Sequence, residues 1–367
     1  MPTEITTLVR TELGMCDTHM GNEMKKMRKD RCGIISFLIV LMIVGLTGCG
    51  NLANRKTKTD EHEGTQKTTV IFGETSNGDS TIENPMNETS TNEDSTKAAD
   101  ESDSTDTEEY LYINADGITL EERICTPSGY FRTEAEKDSL SDFLRSYPMK
   151  ADGSPVLLYN GSEKGNQQAH AAVFGLPIEA EDLQQCADSI MRVFAEYCLQ
   201  TGRESQIKFY FTNGFLADYS KWRDGYRIAV NGNDISWTSG GTYDDSYESF
   251  KKYMRMVFSY AGTLSMDVYE SESITLDEVK VGDVFLKGGS PGHVVMVVDV
   301  CENEAGERAF LLGQGYMPAQ EFHVINNLLH MDDPWYYEDE ITYPFRTAEY
   351  TFPEGSLRRL SYSEWVK

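Results

Sequence analysis

The stretch from Gly288 to Val298 reads GGSPGHVVMVV and decides the fold of the C-terminal third of the chain. Residues 294–298 are apolar at every position, which predicts a strand that is buried on both faces. The glycines before His293 predict a loop that keeps the mouth of this strand open to a substrate. His293 is therefore a candidate functional residue, and a structural histidine that bonds a loop carbonyl is the alternative.

The elements around this strand predict a single α+β domain over residues 110–367, because helices are followed by an antiparallel meander. Tyr110–Ile118 is predicted as a strand or a hairpin. The other predicted strands are Pro155–Tyr159, Gln168–Phe174, Ile207–Phe211, Asp283–Leu286, His293–Val300, Ala309–Leu312 and Glu321–Ile325. The predicted helices are Asp138–Tyr147, Glu181–Leu199, Tyr219–Trp222 and Ser246–Tyr260. The helix that begins at Glu181 has apolar positions at steps of three and four, which predicts one buried face.

Three residues in this order suggest nucleophilic chemistry. Cys186 lies in the first turns of the long helix, His293 opens the buried strand, and Gln314 ends the next strand. The stretches Gly282–Phe285 and Pro291–Val297 resemble the papain-like cell-wall hydrolases of the NlpC/P60 and CHAP families. The resemblance implies a papain-like fold, a cysteine nucleophile, a histidine base and a polar residue that orients the histidine.

The same residues have a structural interpretation. Cys186 falls on the apolar side of its helix, where a cysteine is usually a small core residue. Glu181 and Asp182 precede it, and their charges would raise the pKa of the thiol. With the helix beginning at Glu181, Cys186 lies a turn inside it, where the helix dipole has faded. A catalytic and a core role for Cys186 both stay open.

Other side chains are weaker candidates. His170 is a rival base, because its strand precedes the Cys186 helix. His323 alternates with apolar neighbours and is interpreted as structural. Tyr316 and Gln320 are candidates for substrate binding because they follow Gln314 directly. Asn213 and Trp222 join them as a polar and aromatic pair, although Asn213-Gly214 is first a turn signal. No spacing predicts a metal site or a cofactor.

The whole globular part resembles an uncharacterised bacterial family, domain of unknown function 4846. The matching stretches are Gly153–Val156, His170–Val173, Leu183–Asp188, Phe211–Phe215, Tyr260–Leu264, Gly288–His293 and Tyr316–Gln320. The resemblance places Cys186 and His293 inside family motifs but implies no reaction. The chain departs from the expected Ala-Gln-Ser at Gly313-Gln314-Gly315, which leaves the glutamine in place.

The N-terminal region predicts export. Basic residues between Lys25 and Arg31 precede the apolar run Gly33–Val44, which is too short to span a bilayer comfortably. Small residues then lead to Cys49, which resembles a bacterial lipoprotein lipobox. This implies a signal peptide over 1–48, lipid on Cys49, and a palmitate-bearing anchor on the extracytoplasmic face of the cell membrane. A short membrane anchor or a core helix is the alternative. Residues 1–23 are interpreted as a leader from a wrong start codon.

Residues 49–109 are acidic and rich in serine and threonine, which predicts a disordered linker. Its role is either reach from the membrane or none. The formal charge of −27 argues against nucleic-acid binding. Of the later cysteines, Cys125, Cys186, Cys198 and Cys301 form either two disulfides or free thiols.

Two classes of function follow. The first is a surface lipoprotein that cleaves or transfers an amide bond of cell-wall peptides, with Cys186, His293 and Gln314. The second is a non-catalytic lipoprotein that binds an envelope glycan or peptide, or that assembles with another envelope protein. The partners expected are the membrane, through the lipid anchor, and peptidoglycan or an envelope protein.

Overall fold

The structure, a computed structural model, describes residues 111–330 and 332–362. The predicted signal peptide, the predicted lipidation site Cys49 and the predicted acidic linker lie outside the described residues. Within the part that is described, no helix has the length and apolar character needed to cross a bilayer. Helices and antiparallel strands are both present, so the α+β prediction is confirmed.

The described residues form helices of 4 to 15 residues and mostly short strands. The helices are α1 (Leu120–Arg123), α2 (Leu140–Arg145), α3 (Cys186–Gln200), α4 (Tyr219–Arg223), α5 (Tyr247–Tyr260) and α6 (Thr263–Tyr269). The strands are β1 (Tyr130–Arg132), β2 (His170–Val173), β3 (Lys208–Tyr210), β4 (Leu216–Asp218), β5 (Tyr226–Asn231), β6 (Asp234–Ser239), β7 (Ser271–Ser273), β8 (Val284–Lys287), β9 (His293–Asn303), β10 (Arg308–Gln314), β11 (His323–Ile325), β12 (Tyr336–Tyr337), β13 (Phe345–Arg346), β14 (Thr351–Phe352) and β15 (Leu357–Leu360).

One antiparallel sheet organises the described residues. Its strand order is β2-β11-β10-β9-β8-β15-β7, and β1 and β12 pair with β9 and β10. The four consecutive strands from β8 to β11 are neighbours, as the meander prediction requires. Residues 293–301 of β9 are all buried, which agrees with the apolar run that predicted burial on both faces.

Helix α3 is the central helix, and it is buried on all sides. Every residue from 186 to 198 is buried, because α3 contacts β9 and β10 of the sheet and also the helices α5 and α6. The prediction of a single buried face is therefore wrong. Arg192 is tolerated inside because its guanidinium pairs with Glu196 at 2.8 Å and donates to the Tyr247 hydroxyl.

Two predicted strands are absent from the described residues. Residues 111–118 contain only an isolated bridge, between Ile113 and Ile124. Residues 155–159 also contain only isolated bridges, because side chains rather than a neighbouring strand accept hydrogen bonds from two of their backbone N–H groups. The backbone N–H of Val156 donates to the Gln167 side chain and that of Leu157 to the Glu321 carboxylate. Periodicity alone does not reveal such local competition for backbone groups.

The cysteine alternatives are partly resolved. Cys186, Cys198 and Cys301 are buried free thiols. Two disulfides among the four cysteines of the predicted domain would need all four, so that alternative is excluded. The other alternative, free thiols, holds for these three residues.

Glu270 is a buried carboxyl that ties the end of the described chain to the core. It accepts from the backbone N–H of Tyr210 at 2.7 Å and from the hydroxyl of Tyr362. Burial raises the pKa of Glu270 from 4.5 to about 7, while these two hydrogen bonds act in the lowering direction. The folded protein therefore holds a proton on Glu270 more tightly than the unfolded chain does.

The Glu270→Gln substitution should flatten one component of the pH dependence of stability. A raised pKa stabilises the fold below pH 4.5, and this stabilisation is lost as the pH rises towards about 7. Wild type loses this stabilisation and the variant does not. The unfolding free energy of the variant minus that of wild type should therefore rise by about 3 kcal/mol between pH 4.5 and about 7. Urea unfolding at a series of pH values measures it. The exposed neighbour variant Glu272→Gln should show no such gain, and a pH-independent difference for Glu270→Gln would contradict the assignment.

Candidate active site

Cys186 is the first residue of α3, five positions later than the sequence predicted the helix to begin. The predicted start at Glu181 is wrong because residues 181–185 form turns. Backbone N–H groups of Leu183 and Gln185 bond the carbonyls two residues earlier, and Gln185 also donates to the Asp188 carboxylate. The sequence-based objection that Cys186 lies a turn inside the helix is therefore removed. The sulfur lies where helix N–H groups have no intrahelical acceptor.

The thiol environment contains opposing contributions. Burial is the largest, and with the charge of Asp188 it raises the pKa of Cys186 to about 11. Backbone N–H groups of Ala187, Cys186 and Val294 act on the thiol in the lowering direction. At neutral pH the thiol therefore keeps its proton. The contact with Val294 also places the sulfur beside the first residues of β9, next to His293 in sequence.

His293 is held by Gln314 across neighbouring strands. Its Nε2 lies 2.8 Å from Oε1 of Gln314, and both residues are almost fully buried. An amide oxygen only accepts, so Nε2 carries the hydrogen and Nδ1 is the basic nitrogen. Within the described residues, Nδ1 makes no side-chain hydrogen bond. Burial lowers the pKa of His293 to about 4, so the ring is neutral at neutral pH.

Two tyrosines cover the imidazole. The ring of Tyr316 lies 4.7 Å from the ring of His293, and the ring of Tyr350 lies 4.9 Å from it. The Tyr316 hydroxyl reaches the backbone carbonyl of Glu349, and the Tyr350 hydroxyl reaches that of Pro291. Burial is the first cause of the raised pKa of Tyr316, and the nearby groups Glu349 and Cys186 add to it, so Tyr316 also lies near the thiol. We call Tyr316 and Tyr350 the aromatic cover of the site.

Sequence reasoning missed the polar group behind Gln314. Its Nε2 donates to Oε2 of Glu349 at 2.7 Å, and Lys164 pairs with that carboxylate. His323, which was interpreted as structural, lies within hydrogen-bonding distance of both Lys164 and Gln314. Lys164 and Glu349 lie in loops that are 185 residues apart in the sequence, and no spacing motif connects them. We call Gln314, Glu349, Lys164 and His323 the support cluster.

The rival base His170 lies beside His323, with 6.1 Å between their ring centroids. Its Nε2 lies 3.2 Å from the carbonyl of Ser154, and its Nδ1 is buried without a partner within the described residues. Burial lowers the pKa of His170. Gln320 is buried, and its Oε1 also has no partner there.

Asn213 and Trp222 are bonded elsewhere. Asn213 is exposed, accepts from the N–H of Phe215 in a turn and donates to the carbonyl of Asn233. The indole of Trp222 is buried and donates to Ser249 of α5. The structure places Gln314 and Tyr316 against His293, and it places the sulfur of Cys186 beside Val294 and Tyr316. It does not join Asn213 or Trp222 to these residues.

Two of the three glycines in the loop before His293, Gly288 and Gly292, allow close packing. A Cβ on Gly292 would lie 2.3 Å from Oγ1 of Thr263, and one on Gly288 would lie 2.6 Å from the Asp267 carboxylate. Both partners belong to α6. The sequence predicted that these glycines keep the strand mouth open, whereas the structure packs the loop against a helix.

Comparison with known proteins gives a family without a reaction. Residues 120–359 match a family model described as Domain of unknown function (4846), which covers more than half of the chain. The family recognised from the sequence stretches is thereby confirmed. Neither the curated proteins nor the solved structures gave a match.

The Tyr316→Ala substitution should speed the alkylation of Cys186 by iodoacetamide at mildly alkaline pH. Removing the ring admits water, which lowers the pKa of the thiol, and each unit increases the thiolate fraction about tenfold. Peptide mapping by mass spectrometry separates Cys186 from the other thiols. The exposed Tyr226→Ala variant is the control. An unchanged rate at Cys186 would show that Tyr316 does not shield it.

Proposed function

The chain belongs to the family described as Domain of unknown function (4846), and we propose that it is a cysteine amidase or peptidase acting on cell-wall peptides. Cys186 is the nucleophile, His293 the base and Gln314 the residue that orients the base. One observation carries the proposal: Gln314 accepts the hydrogen of Nε2 of His293, which leaves Nδ1 as the proton acceptor. The next residue, Val294, contacts the Cys186 thiol through its backbone N–H.

The reaction is acyl transfer through a thioester. The sulfur of Cys186 forms a bond to the amide carbonyl carbon while Nδ1 of His293 takes the thiol proton. The carbon–nitrogen bond breaks, and His293 returns the proton to the leaving amine. Water then attacks the thioester with His293 as the base, which releases a carboxylate and restores the thiol. The N–H groups at the start of α3 are the available donors for the oxyanion.

The finer fold assignment is part of this proposal. A cysteine that begins a helix, a histidine that begins a buried strand and a polar residue at the end of the next strand are the arrangement of papain-like hydrolases. Here those positions are the start of α3, the start of β9 and the end of β10. The meander from β8 to β11 supports the same assignment.

The resting site is neutral and covered. The pKa of about 11 for Cys186 and of about 4 for His293 mean that the proton stays on sulfur at neutral pH. Attack therefore proceeds by general-base removal of the proton, and it requires the aromatic cover to admit the substrate. A substrate amide that displaces this cover brings polar groups next to the thiol and lowers its pKa.

The proposed location is the extracytoplasmic face of the cell membrane. A basic lead, a short apolar run and Cys49 support a lipid anchor there. Residues 49–109 would then act as an acidic tether between the bilayer and the domain. Peptidoglycan lies within reach of a protein anchored in this way, and its peptide stems supply amide bonds.

A non-catalytic lipoprotein that binds an envelope glycan or peptide, or that contacts an envelope protein, is the second candidate. The raised pKa of Cys186 and the cover over His293 favour it, because both are properties of a core cysteine and a structural histidine. Thiol labelling does not separate the two candidates, but product formation does.

The Cys186→Ala substitution should abolish release of amines from purified peptidoglycan by the full-length protein. Loss of the nucleophile is expected to lower the rate by about 1,000-fold or more. Mass spectrometry of released fragments measures cleavage. The Cys198→Ala variant is the matched control, because Cys198 is a buried free thiol on the same helix. Equal cleavage by wild type and Cys186→Ala would refute the nucleophile, and no cleavage by either would favour the binding candidate.

The Cys49→Ser substitution should move the protein out of the membrane fraction. The lipid anchor needs the sulfur of residue 49, so a hydroxyl there prevents acylation. Radiolabelled palmitate incorporation and cell fractionation measure the change. The Cys32→Ser variant, which lies within the predicted signal peptide, should keep both label and membrane association. Membrane association that persists in Cys49→Ser without label would support the membrane-anchor alternative.

A further inference from the structure

The side-chain amide of Gln314 is bonded at both ends, and its orientation decides which nitrogen of His293 is the base. Its Oε1 faces Nε2 of His293 at 2.8 Å, and its Nε2 faces the carboxylate of Glu349 at 2.7 Å. If the amide were rotated by half a turn, its NH₂ group would face His293. The imidazole would then have to accept at Nε2, and its hydrogen would move to Nδ1.

His323 supplies one fixed acceptor for the amide. Its Nδ1 lies 2.9 Å from the backbone carbonyl of Glu321, which only accepts, so Nδ1 carries the hydrogen. Its Nε2 is therefore an acceptor. It receives Nζ of Lys164 at 3.3 Å and Nε2 of Gln314 at 3.4 Å. Burial and the nearby Lys164 lower the pKa of His323 well below its usual value, so this ring stays neutral.

Glu349 supplies the second acceptor. Its Oε2 receives Nε2 of Gln314 and also Nζ of Lys164. Lys164 is itself almost fully buried, and burial lowers its pKa while the Glu349 partner opposes that shift. Nε2 of His323 and the carboxylate of Glu349 thus both face the amide nitrogen of Gln314 as acceptors. Their roles are set by a backbone carbonyl and by the ion pair with Lys164.

We propose that Glu349 and His323 are positioning residues that fix the tautomer of His293 through Gln314. Both offer acceptors to the NH₂ group, so the amide oxygen must point at His293 and the imidazole hydrogen must sit on Nε2. Nδ1 is left as the base. The inference rests on the proposed function only in that it assigns the base nitrogen; the tautomer itself is a property of the resting protein.

The experiment reads the tautomer directly, without a substrate. The full-length protein in detergent micelles is labelled with ¹⁵N-histidine, and long-range proton–nitrogen correlation spectra distinguish protonated Nε2 from protonated Nδ1 in neutral rings. His293→Gln identifies its signal among the six histidines of the chain. In wild type, His293 is expected as the Nε2–H form. An Nδ1–H form in wild type would overturn the inference.

Two variants separate tautomer control from a structural ion pair. Glu349→Gln keeps an oxygen that can accept from Gln314 and Lys164, so the Nε2–H form of His293 should persist. The exchange Lys164→Glu with Glu349→Lys keeps opposite charges but places a donor beside Gln314. The amide should then rotate, and His293 should change to the Nδ1–H form. A merely structural ion pair would tolerate the exchange and leave the tautomer unchanged, which overturns the inference.

Two further variants keep the test decisive if the exchange does not fold. Glu349→Leu removes one acceptor, so a share of His293 should change to Nδ1–H, and His323→Phe should act in the same direction. No change in either variant would overturn the inference. The matched control is Glu340→Leu, because Glu340 pairs with the exposed His330 at 2.8 Å and should alter that ring alone.

The two proposals fail in distinguishable ways. If the tautomer responds as expected but peptidoglycan is not cleaved in a Cys186-dependent way, the hydrolase proposal fails and the positioning roles stand. If cleavage depends on Cys186 while Glu349→Leu and His323→Phe leave the tautomer and the pH profile of cleavage unchanged, the positioning roles fail and the hydrolase proposal stands.

Discussion

The close approach of α3 to the end of β10 is the constraint on which the site depends. At Gly315 the strand end lies so near the helix that a Cβ would stand 2.1 Å from Oγ of Ser189 and 3.1 Å from the carbonyl of Gln185. A side chain there would push the helix start away from the sheet. Glycine at this position therefore lets Cys186 approach the strand ends that carry His293 and Gln314. Gly313 allows a different close approach, because its Cβ would lie 2.8 Å from the side chains of Phe322 and Val298.

Burial explains the electrostatics of the site more than any charge does. It is the first cause of the raised pKa of Cys186, of the lowered pKa of His293 and of the lowered pKa of His323. A low-dielectric site disfavours every charged form, so the thiol and both rings stay neutral. The only described ion pair within the cluster is Lys164 with Glu349, which lies behind Gln314. The charges of this pair therefore lie behind the Gln314 amide and do not contact the His293 imidazole directly.

The sequence predicted the parts of the molecule whose signals are local. The apolar run after His293 predicted β9, and the periodic apolar positions after Ser246 predicted α5, which begins one residue later. The start of α3 was predicted wrongly, because the acidic residues 181 and 182 are favourable in a first turn as well as in the turns that precede the helix. Local periodicity does not separate these cases.

The residues around the candidate site also divide into those with a local sequence signal and those without one. Cys186, His293 and Gln314 were found because each stands at the end of a predicted element or in a motif. Glu349 and Lys164 lie in loops 185 residues apart, and only the folded chain brings them together. His323 was interpreted as structural, because alternation with apolar neighbours shows burial and cannot show which groups share that burial. Partners joined by tertiary packing alone have no sequence signal.

Under the proposed function, the support cluster also limits how a substrate can enter. Glu349 and Tyr350 are neighbours in the turn between β13 and β14, so lifting this hairpin to uncover His293 would also withdraw the carboxylate from Gln314. Tyr316, by contrast, belongs to the loop after β10 and is followed by the exposed Met317. Moving Tyr316 breaks the contact of its hydroxyl with the Glu349 backbone carbonyl and exposes one side of the ring, whereas the bond from Gln314 to the Glu349 carboxylate does not involve Tyr316. Under the proposed function, entry past Tyr316 is therefore the route that keeps the tautomer of the base intact during the reaction.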